Sequence, residues 1–228
     1  MHRSQAIIFD LGGTLLYPDF PFLQTILKQG GQAITQNQFL LALSKASNRI
    51  DTYRQATTDA SRVPVYIKYL LEELQVEDLQ ESEKIEELVQ QVILPRHQTV
   101  NFWNYLLEGT LALLDTLQKT YKLAMISNSD GRAAAKAAQY GLAPYLDFII
   151  DSHVVGVEKP DPQIFLLACQ RLGLPARNCY YVGDIYSIDV VGARKAGLHP
   201  ILIDMTLTPR EDCRVISSIF DLQHLSLP

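Results

Sequence analysis

Four short polar clusters in this 228-residue chain each follow an apolar run, and their residue types suit phosphate chemistry. In chain order the clusters are Asp10-Leu11-Gly12-Gly13-Thr14, Ser127-Asn128-Ser129, Glu158-Lys159-Pro160, and Gly183-Asp184 with Asp189. Short apolar runs are typical of strands buried in a parallel sheet, and such sheets bind ligands at the carboxyl ends of their strands. We therefore expect the four clusters to meet at one edge of a sheet.

The side chains in these clusters complement one another. The carboxylates of Asp10 and Asp184 are hard oxygen ligands that suit Mg²⁺, and Asp189 is close enough in sequence to join or support them. Lys159 supplies a positive charge and Ser127 a hydroxyl, both of which bind phosphate oxygens. An aspartate can also attack phosphorus and form an aspartyl-phosphate, which divides one difficult step into two.

The elements that must position these clusters alternate along the chain. Apolar runs predict strands at Ala6–Asp10, Lys122–Ile126, Phe148–Ile150, Tyr180–Val182 and Ile201–Ile203. Helical stretches are predicted between them, at about Leu111–Thr120, Arg132–Tyr140, Pro162–Leu172 and Ser187–Ala196. This alternation indicates an α/β fold, a doubly wound parallel sheet with helices on both faces.

The region after the first strand has a different pattern. From about Pro18 to Arg96 there is no buried-strand run, and apolar residues recur every three or four positions, which is typical of amphipathic helices. We therefore predict an all-helical cap domain at residues 17–95, inserted into an α/β core formed by residues 1–16 and 96–228.

The four clusters together resemble the sequence motifs of the haloacid dehalogenase-like (HAD) hydrolase superfamily. The matching segments are Phe9–Leu15, Ile126–Asn128, Gly156–Pro162, and Val182–Asp184 with Asp189, followed by the helix end Gly192–Gly197. The resemblance by motif covers about residues 4–16 and 105–205. The insertion is similar in position and type to the cap of the subfamily whose cap follows the first motif. The resemblance implies a Rossmann-like core.

The resemblance also implies roles for single residues. Asp10 corresponds to the catalytic nucleophile and a metal ligand, Ser127 to a ligand of phosphate oxygens, and Lys159 to the cation that orients the nucleophile. The implied Mg²⁺ ligands are Asp10, the backbone carbonyl of Gly12, Asp184, and Asp189 directly or through water. The predicted phosphate-binding residues are Gly13, Thr14, Ser127, Asn128 and Lys159.

Position 12 departs from the pattern of the phosphatases in this family. Most of them carry a second aspartate two residues after the nucleophile, which acts as general acid and base. Gly12 has no side chain that could exchange a proton. Three functions therefore remain open: a Mg²⁺-dependent phosphatase with an altered site, a metal-independent 2-haloacid dehalogenase, and a metal- and phosphate-binding regulatory protein with weak turnover.

The bulk properties exclude some partners. The formal net charge is −5, and no run of lysine and arginine is present, so binding to nucleic acid or to an anionic membrane is not expected. Three scattered cysteines fit a reducing compartment, and the first apolar run is too short for a signal peptide or a membrane span. We expect a cytoplasmic hydrolase acting on a small phosphorylated metabolite.

Overall fold

The chain forms two compact units. The computed structural model describes residues 3–29, 33–52, 59–75 and 82–225. The first unit contains residues 1–15 and 106–228, and the second contains residues 16–105. The strands are β1 Ala6–Phe9, β2 Tyr17–Pro18, β3 Trp103–Tyr105, β4 Lys122–Ser127, β5 Phe148–Asp151, β6 Cys179–Gly183, β7 His199–Ile203 and β8 Arg214–Ile216.

The first unit is built on a six-stranded sheet of order β5-β4-β1-β6-β7-β8, in which every neighbouring pair is parallel. β1 is central, with β4 on one side and β6 on the other. The strand order reverses direction across β1, which is the kind of position where open parallel sheets bind ligands. The predicted α/β class and parallel sheet are confirmed.

Helices cover this sheet. Those of the first unit are α6 Thr110–Leu117, α7 Ala133–Gln139, α8 Ser152–Val155, α9 Pro162–Leu172 and α10 Val191–Lys195. A single apolar cluster joins α9 and α10 to alternate residues of the central strands, among them Ile8, Ile126 and Tyr181. The intervening residues, such as Phe9 and Met125, are buried as well. Burial on both faces explains why these strands are apolar without alternation.

Two features of the first unit differ from the prediction. A sixth strand, β8, pairs with β7, but it begins with Arg214 and therefore presents an apolar run of only two residues in the sequence. The predicted helix Ser187–Ala196 begins with a π-helical turn, Tyr186–Val190, and continues as α10. This turn carries Asp189, so its π-helical spacing sets the position of a predicted site residue.

The second unit is mainly helical. Its helices are α1 Phe20–Gln29, α2 Gln36–Ile50, α3 Asp59–Glu73, α4 Ser82–Leu88 and α5 Leu94–Val100, with a π-helical segment Val89–Ile93 between the last two. Thr35 and Gln38 form a capping box at the start of α2, which satisfies backbone donors that the first turn leaves open. Ser47 of α2 and Tyr66 of α3 are joined by a hydrogen bond of 3.1 Å between their hydroxyls.

The second unit is not all-helical, and it ends later than predicted. β2 and β3, at its two ends, form an antiparallel pair. The Asp19 carboxylate beside β2 accepts hydrogen bonds from Arg96 at 2.6 Å and from Asn104 at 2.9 Å. These contacts hold residues 96–105 in the second unit, so its boundary lies at 105/106 and not at the predicted 95/96.

Within the described ranges, no helix is both long enough and apolar enough to cross a bilayer.

Replacement of Gly192 tests the packing of α9 on α10. A Cβ atom at Gly192 would lie 2.5 Å from the Phe165 ring and 3.0 Å from the Pro160 Cα atom. Within a helix, Gly→Ala ordinarily stabilises by about 1 kcal/mol, but overpacking destabilises by about 1–3 kcal/mol. We expect Gly192→Ala to lower the free energy of unfolding, measured by urea denaturation. An unchanged or increased value would contradict the close packing.

Candidate active site

The predicted site residues of the first unit converge at the carboxyl ends of three adjacent strands. Asp10 directly follows β1, and its backbone N–H donates to the Val182 carbonyl of β6 at 2.8 Å. Ser127 is the last residue of β4, and Asp184 directly follows β6. Because β1 lies between β4 and β6, the parallel register brings these side chains to one edge of the sheet.

Lys159 occupies the centre of this edge. Its side chain is almost fully buried, and the ammonium donates to Asp10 Oδ1 at 2.6 Å and to Asp189 Oδ1 at 2.8 Å. A third bond runs to the Tyr181 hydroxyl at 2.9 Å. Burial of an ammonium is tolerated only when charged and hydrogen-bonding partners replace water, and all three of its donors are satisfied here.

Asn128 holds the backbone that carries Lys159. The Asn128 Oδ1 atom accepts from the Lys159 N–H at 2.8 Å, and the Asn128 Nδ2 atom donates to the Lys159 carbonyl at 2.9 Å. The peptide bond between Lys159 and Pro160 is cis. Two hydrogen bonds therefore tie the cluster at Ser127–Ser129 to the cluster at Glu158–Pro160. Both polar atoms of the Asn128 amide are hydrogen-bonded to the Lys159 backbone.

Three carboxylates form a compact cluster beside the ammonium. Asp10, Asp184 and Asp189 each offer an oxygen within 4.8 Å of the others. The Asp189 Oδ2 atom accepts from the Ile185 N–H at 3.0 Å, which fixes its orientation in the π-helical turn. Oxygen ligands at this density suit a hard cation such as Mg²⁺.

Two glycines make room for the carboxylates. A Cβ atom at Gly13 would lie 2.4 Å from Asp184 Oδ2, and one at Gly183 would lie 2.4 Å from Asp189 Cγ. Gly13 also has φ of +85°, a conformation that other residues rarely adopt. Any side chain at either position would displace a member of the cluster.

The electrostatics of the site leave a negative excess. Burial raises the pKa of Asp10 to about 7, against the lowering effect of the Lys159 charge, and the Asp189 charge adds to the rise. Burial alone would lower the pKa of Lys159, but the charges of Asp10 and Asp189 hold it well above its ordinary value. Three carboxyl groups face a single ammonium, so the acidic groups of the site outnumber its basic group, and a divalent cation would balance that excess. The residues present therefore fit a Mg²⁺ ion.

The other predicted residues of the first motif lie beside the cluster. Thr14 is 0% exposed, and its Oγ1 atom has no hydrogen-bond partner among the described residues. Gly12 is partly exposed. Ser127 is buried, with its hydroxyl 3.4 Å from the Asn128 carbonyl, a long bond that a stronger acceptor would displace. The Ser127 hydroxyl is therefore available to a phosphate oxygen.

Two residues of this edge were not foreseen from the sequence. The Tyr181 hydroxyl contacts Lys159, although Tyr181 lies inside an apolar run that predicts only a buried strand. A buried tyrosine hydroxyl usually needs a polar partner, and this is the signal that the sequence offers. Asp151 ends β5, and its carboxylate accepts from the backbone N–H groups of Gly131, Ala133 and His153. Asp151 therefore shapes the loop after β4.

Comparison with known proteins identifies a family and several relatives of this chain. Residues 5–197 match the haloacid dehalogenase-like hydrolase family. The haloacid dehalogenase-like hydrolase domain-containing protein 3 of Mus musculus is 35% identical over 101 residues, which cover 44% of this chain and 40% of that protein. The glyceraldehyde 3-phosphate phosphatase of Methanothermobacter thermautotrophicus is 32% identical over 126 residues, which cover 51% of this chain and 56% of that protein.

The chain thus spans about half the length of these curated relatives. Among solved structures, the magnesium-bound HAD-hydrolase YfnB of Bacillus subtilis is similar with a TM-score of 0.60 and 19% identity, over 98% of each chain. At that identity the likeness concerns the fold.

The charge balance at Lys159 can be tested by Lys159→Met, which removes the positive charge but keeps an apolar stem. Asp10 favours its protonated form in the folded state, so its contribution to stability is present below the unfolded pKa of 3.8 and is lost as pH rises through about 7. Lys159 lowers that pKa, so its removal enlarges the loss. We expect the free energy of unfolding to fall by about 3–5 kcal/mol at about pH 8.5, and by less at about pH 5.5.

Urea denaturation in EDTA measures both values. Lys122→Met is the matched control, because the Lys122 ammonium donates to the Leu172 carbonyl at 2.6 Å, and a carbonyl does not titrate. A Lys159→Met deficit that is equal at both pH values would contradict the electrostatic coupling.

Proposed function

The chain belongs to the haloacid dehalogenase-like hydrolase family, and we propose that it is a Mg²⁺-dependent phosphatase of small phosphorylated metabolites. The observation that carries this proposal is the cluster of Asp10, Asp184 and Asp189 beside Lys159. The similarity to a protein named glyceraldehyde 3-phosphate phosphatase also supports phosphate-ester chemistry.

In the proposed reaction Asp10 is the nucleophile. One carboxylate oxygen of Asp10 forms a bond to phosphorus, and the bond from phosphorus to the leaving group breaks with its electron pair on the leaving group. Water then attacks the phosphorus of the aspartyl-phosphate and loses a proton to solvent, which releases orthophosphate and restores the Asp10 carboxylate. Lys159 favours the ionised form of Asp10 that this attack requires, because its charge lowers the pKa of that carboxyl.

The remaining residues bind the phosphoryl group and the cation. Asp10, Asp184 and Asp189, with the backbone carbonyl of Gly12, would hold Mg²⁺. When bound, Mg²⁺ supplies positive charge that offsets the charge on the phosphoryl oxygens. The Ser127 hydroxyl donates to one phosphoryl oxygen, and the backbone amides of the Gly13–Thr14 segment donate to others.

The glycine at position 12 restricts the substrates. A leaving group with a high pKa needs a proton as it departs, and Gly12 cannot donate one. Leaving groups of acyl and aryl phosphates need little protonation, so these compounds are the best substrates of the proposed enzyme. Phosphate esters of simple alcohols should react slowly.

Gly12 is also the observation that favours a second candidate, a 2-haloacid dehalogenase. Dehalogenases of this family resemble the chain in lacking the second acid, but they use no metal. Retained carboxylates at Asp184 and Asp189 have little use in such a reaction, so we place phosphoryl transfer first. A third candidate is a regulatory protein that binds metal and phosphate with weak turnover. Such a protein would keep the carboxylate cluster and lose most of its catalytic activity.

The phosphatase proposal predicts that p-nitrophenyl phosphate hydrolysis requires both Mg²⁺ and Asp10. We expect Asp10→Asn to reduce kcat by about 10³-fold or more, since the nucleophile is lost, and EDTA to abolish turnover. Hydrolysis that persists without metal and in Asp10→Asn would overturn the proposal. Metal-independent halide release from 2-haloacids would favour the dehalogenase, and Mg²⁺ binding with no turnover on a broad phosphate panel would favour the regulatory protein.

The missing proton carrier predicts a gain of function. Gly12→Asp should raise kcat on alkyl phosphates by about 10²-fold, the lower end of what general acid–base catalysis contributes. The gain on p-nitrophenyl phosphate should be smaller, because its leaving group needs less help. Gly12→Asn is the matched control: it adds nearly the same volume but no titratable proton. Equal rates for the two variants, with both folded by circular dichroism, would show that position 12 does not limit turnover.

A further inference from the structure

The loop after β7 lies beside the carboxylate cluster, at the same edge of the sheet. β7 is the parallel neighbour of β6, so the segment that follows Ile203 leaves the sheet next to Asp184. Tyr186 joins this loop to the site, because its hydroxyl donates to Asp212 Oδ2 at 2.6 Å. Tyr186 follows Asp184 by two residues, which span at most about 7 Å, so its ring lies at the rim of the cluster.

Arg210 belongs to this loop and stacks on Tyr186. Its guanidinium carbon lies 4.4 Å from the centre of the Tyr186 ring, a cation–π contact that holds the planar guanidinium in one orientation. The Arg210 side chain is only partly exposed. Because partial removal from water lowers the local dielectric constant, its charge attracts an adjacent anion more strongly than a fully solvated arginine would.

No carboxylate in the described part of the chain pairs with Arg210. The Asp212 carboxylate, two residues further on, accepts from the Tyr186 hydroxyl and forms an ion pair with Arg194. The buried Nε atom of Arg210 has no hydrogen-bond acceptor among the described residues. A guanidinium that is half withdrawn from water gains more from an anionic partner than one that stays fully hydrated. Arg210 is therefore an available binding group for an anion at the rim of the site.

We propose that Arg210 determines substrate specificity by binding a carboxylate that the phosphorylated metabolite carries in addition to its phosphoryl group. This role rests on the proposed function, since it places the phosphoryl end of the substrate at Asp10 and the carboxylate end at Arg210. The planar guanidinium matches a carboxylate in shape and in charge, one positive against one negative. A second phosphate, with about two negative charges, would need another cation, and Arg194 is already paired with Asp212.

The position of Arg210 suits recognition of the substrate. It lies beyond residues 5–197, the segment that matches the family, so the family pattern assigns it no role. A contact with a remote carboxylate is made equally in the ground state and in the transition state, so it should lower KM and leave kcat unchanged. A purely structural role, in which Arg210 only holds the Tyr186 ring, would affect all phosphate esters alike.

Arg210→Gln removes the charge and keeps a polar side chain. For 3- and 4-carboxyphenyl phosphate we expect KM to rise about fivefold with kcat unchanged, the loss typical of one partly exposed ion pair. For the neutral carbamoyl analogues, which are nearly isosteric, KM should change by less than about twofold. Arg210→Lys keeps the charge and should recover part of the loss. Arg214→Gln is the control, because it removes the same charge from the exposed first residue of β8.

Two kinetic outcomes would overturn the role of Arg210 in specificity. Equal increases in KM for the carboxylate and carbamoyl esters would show that Arg210 only supports the structure of the rim. An unchanged KM for both carboxylate esters, in Arg210→Gln that is folded by circular dichroism, would show that no carboxylate reaches the guanidinium.

Phosphonates test the same contact without turnover. In Mg²⁺, calorimetry should show that Arg210→Gln raises the Kd of 4-phosphonobenzoate about fivefold and changes the Kd of phenylphosphonate by less than about twofold. This result in a chain that hydrolyses no phosphate ester would support the carboxylate contact while refuting the phosphatase. Equal Kd values of 4-phosphonobenzoate for the wild type and Arg210→Gln, in a chain that hydrolyses p-nitrophenyl phosphate, would refute the carboxylate contact alone.

Discussion

The accumulation of carboxylates around one buried ammonium is the constraint on which the rest of the structure depends. Ionised groups removed from water cost several kcal/mol each unless partners replace their hydration. Lys159 meets this requirement for itself, since Asp10, Asp189 and Tyr181 take its three donors. The carboxylates are not fully balanced in return, and burial raises the pKa of Asp10 to about 7. The hydrogen bonds of Lys159 are thus satisfied, and the carboxylate cluster can still bind a divalent cation.

Much of the local backbone serves to bring these charges together. The parallel order β4-β1-β6 places Ser127, Asp10 and Asp184 side by side at one sheet edge. Lys159 comes from the loop after α8, and the Asn128 amide ties that loop to the end of β4. Gly13 and Gly183 then permit approaches that any side chain would block.

The same geometry defines what the chain lacks. Asp10, the Lys159 ammonium and the carboxylates of Asp184 and Asp189 are present, and under the proposed function they would bind a cation and attack phosphorus. Gly12, which follows Asp10 by two residues, contributes no group for proton transfer. A site of this composition is therefore suited to leaving groups that depart without a proton. That property separates the proposed enzyme from the phosphatases in its family that carry the second acid, without requiring any change in fold.

By itself, the sequence determined the sheet and the chemical identity of the site. The apolar runs at β1, β4 and β6 are short, do not alternate with polar residues and end in polar clusters, so the meeting of Asp10, Ser127 and Asp184 at one edge of a parallel sheet was predictable. The tertiary structure decided what depends on distance across the chain. The short β8, the β2–β3 pair that extends the second unit to Tyr105, and the contact of Tyr181 with Lys159 all join residues far apart in sequence. Local periodicity reports which face of an element is buried; it does not report which distant polar group a buried hydroxyl will meet.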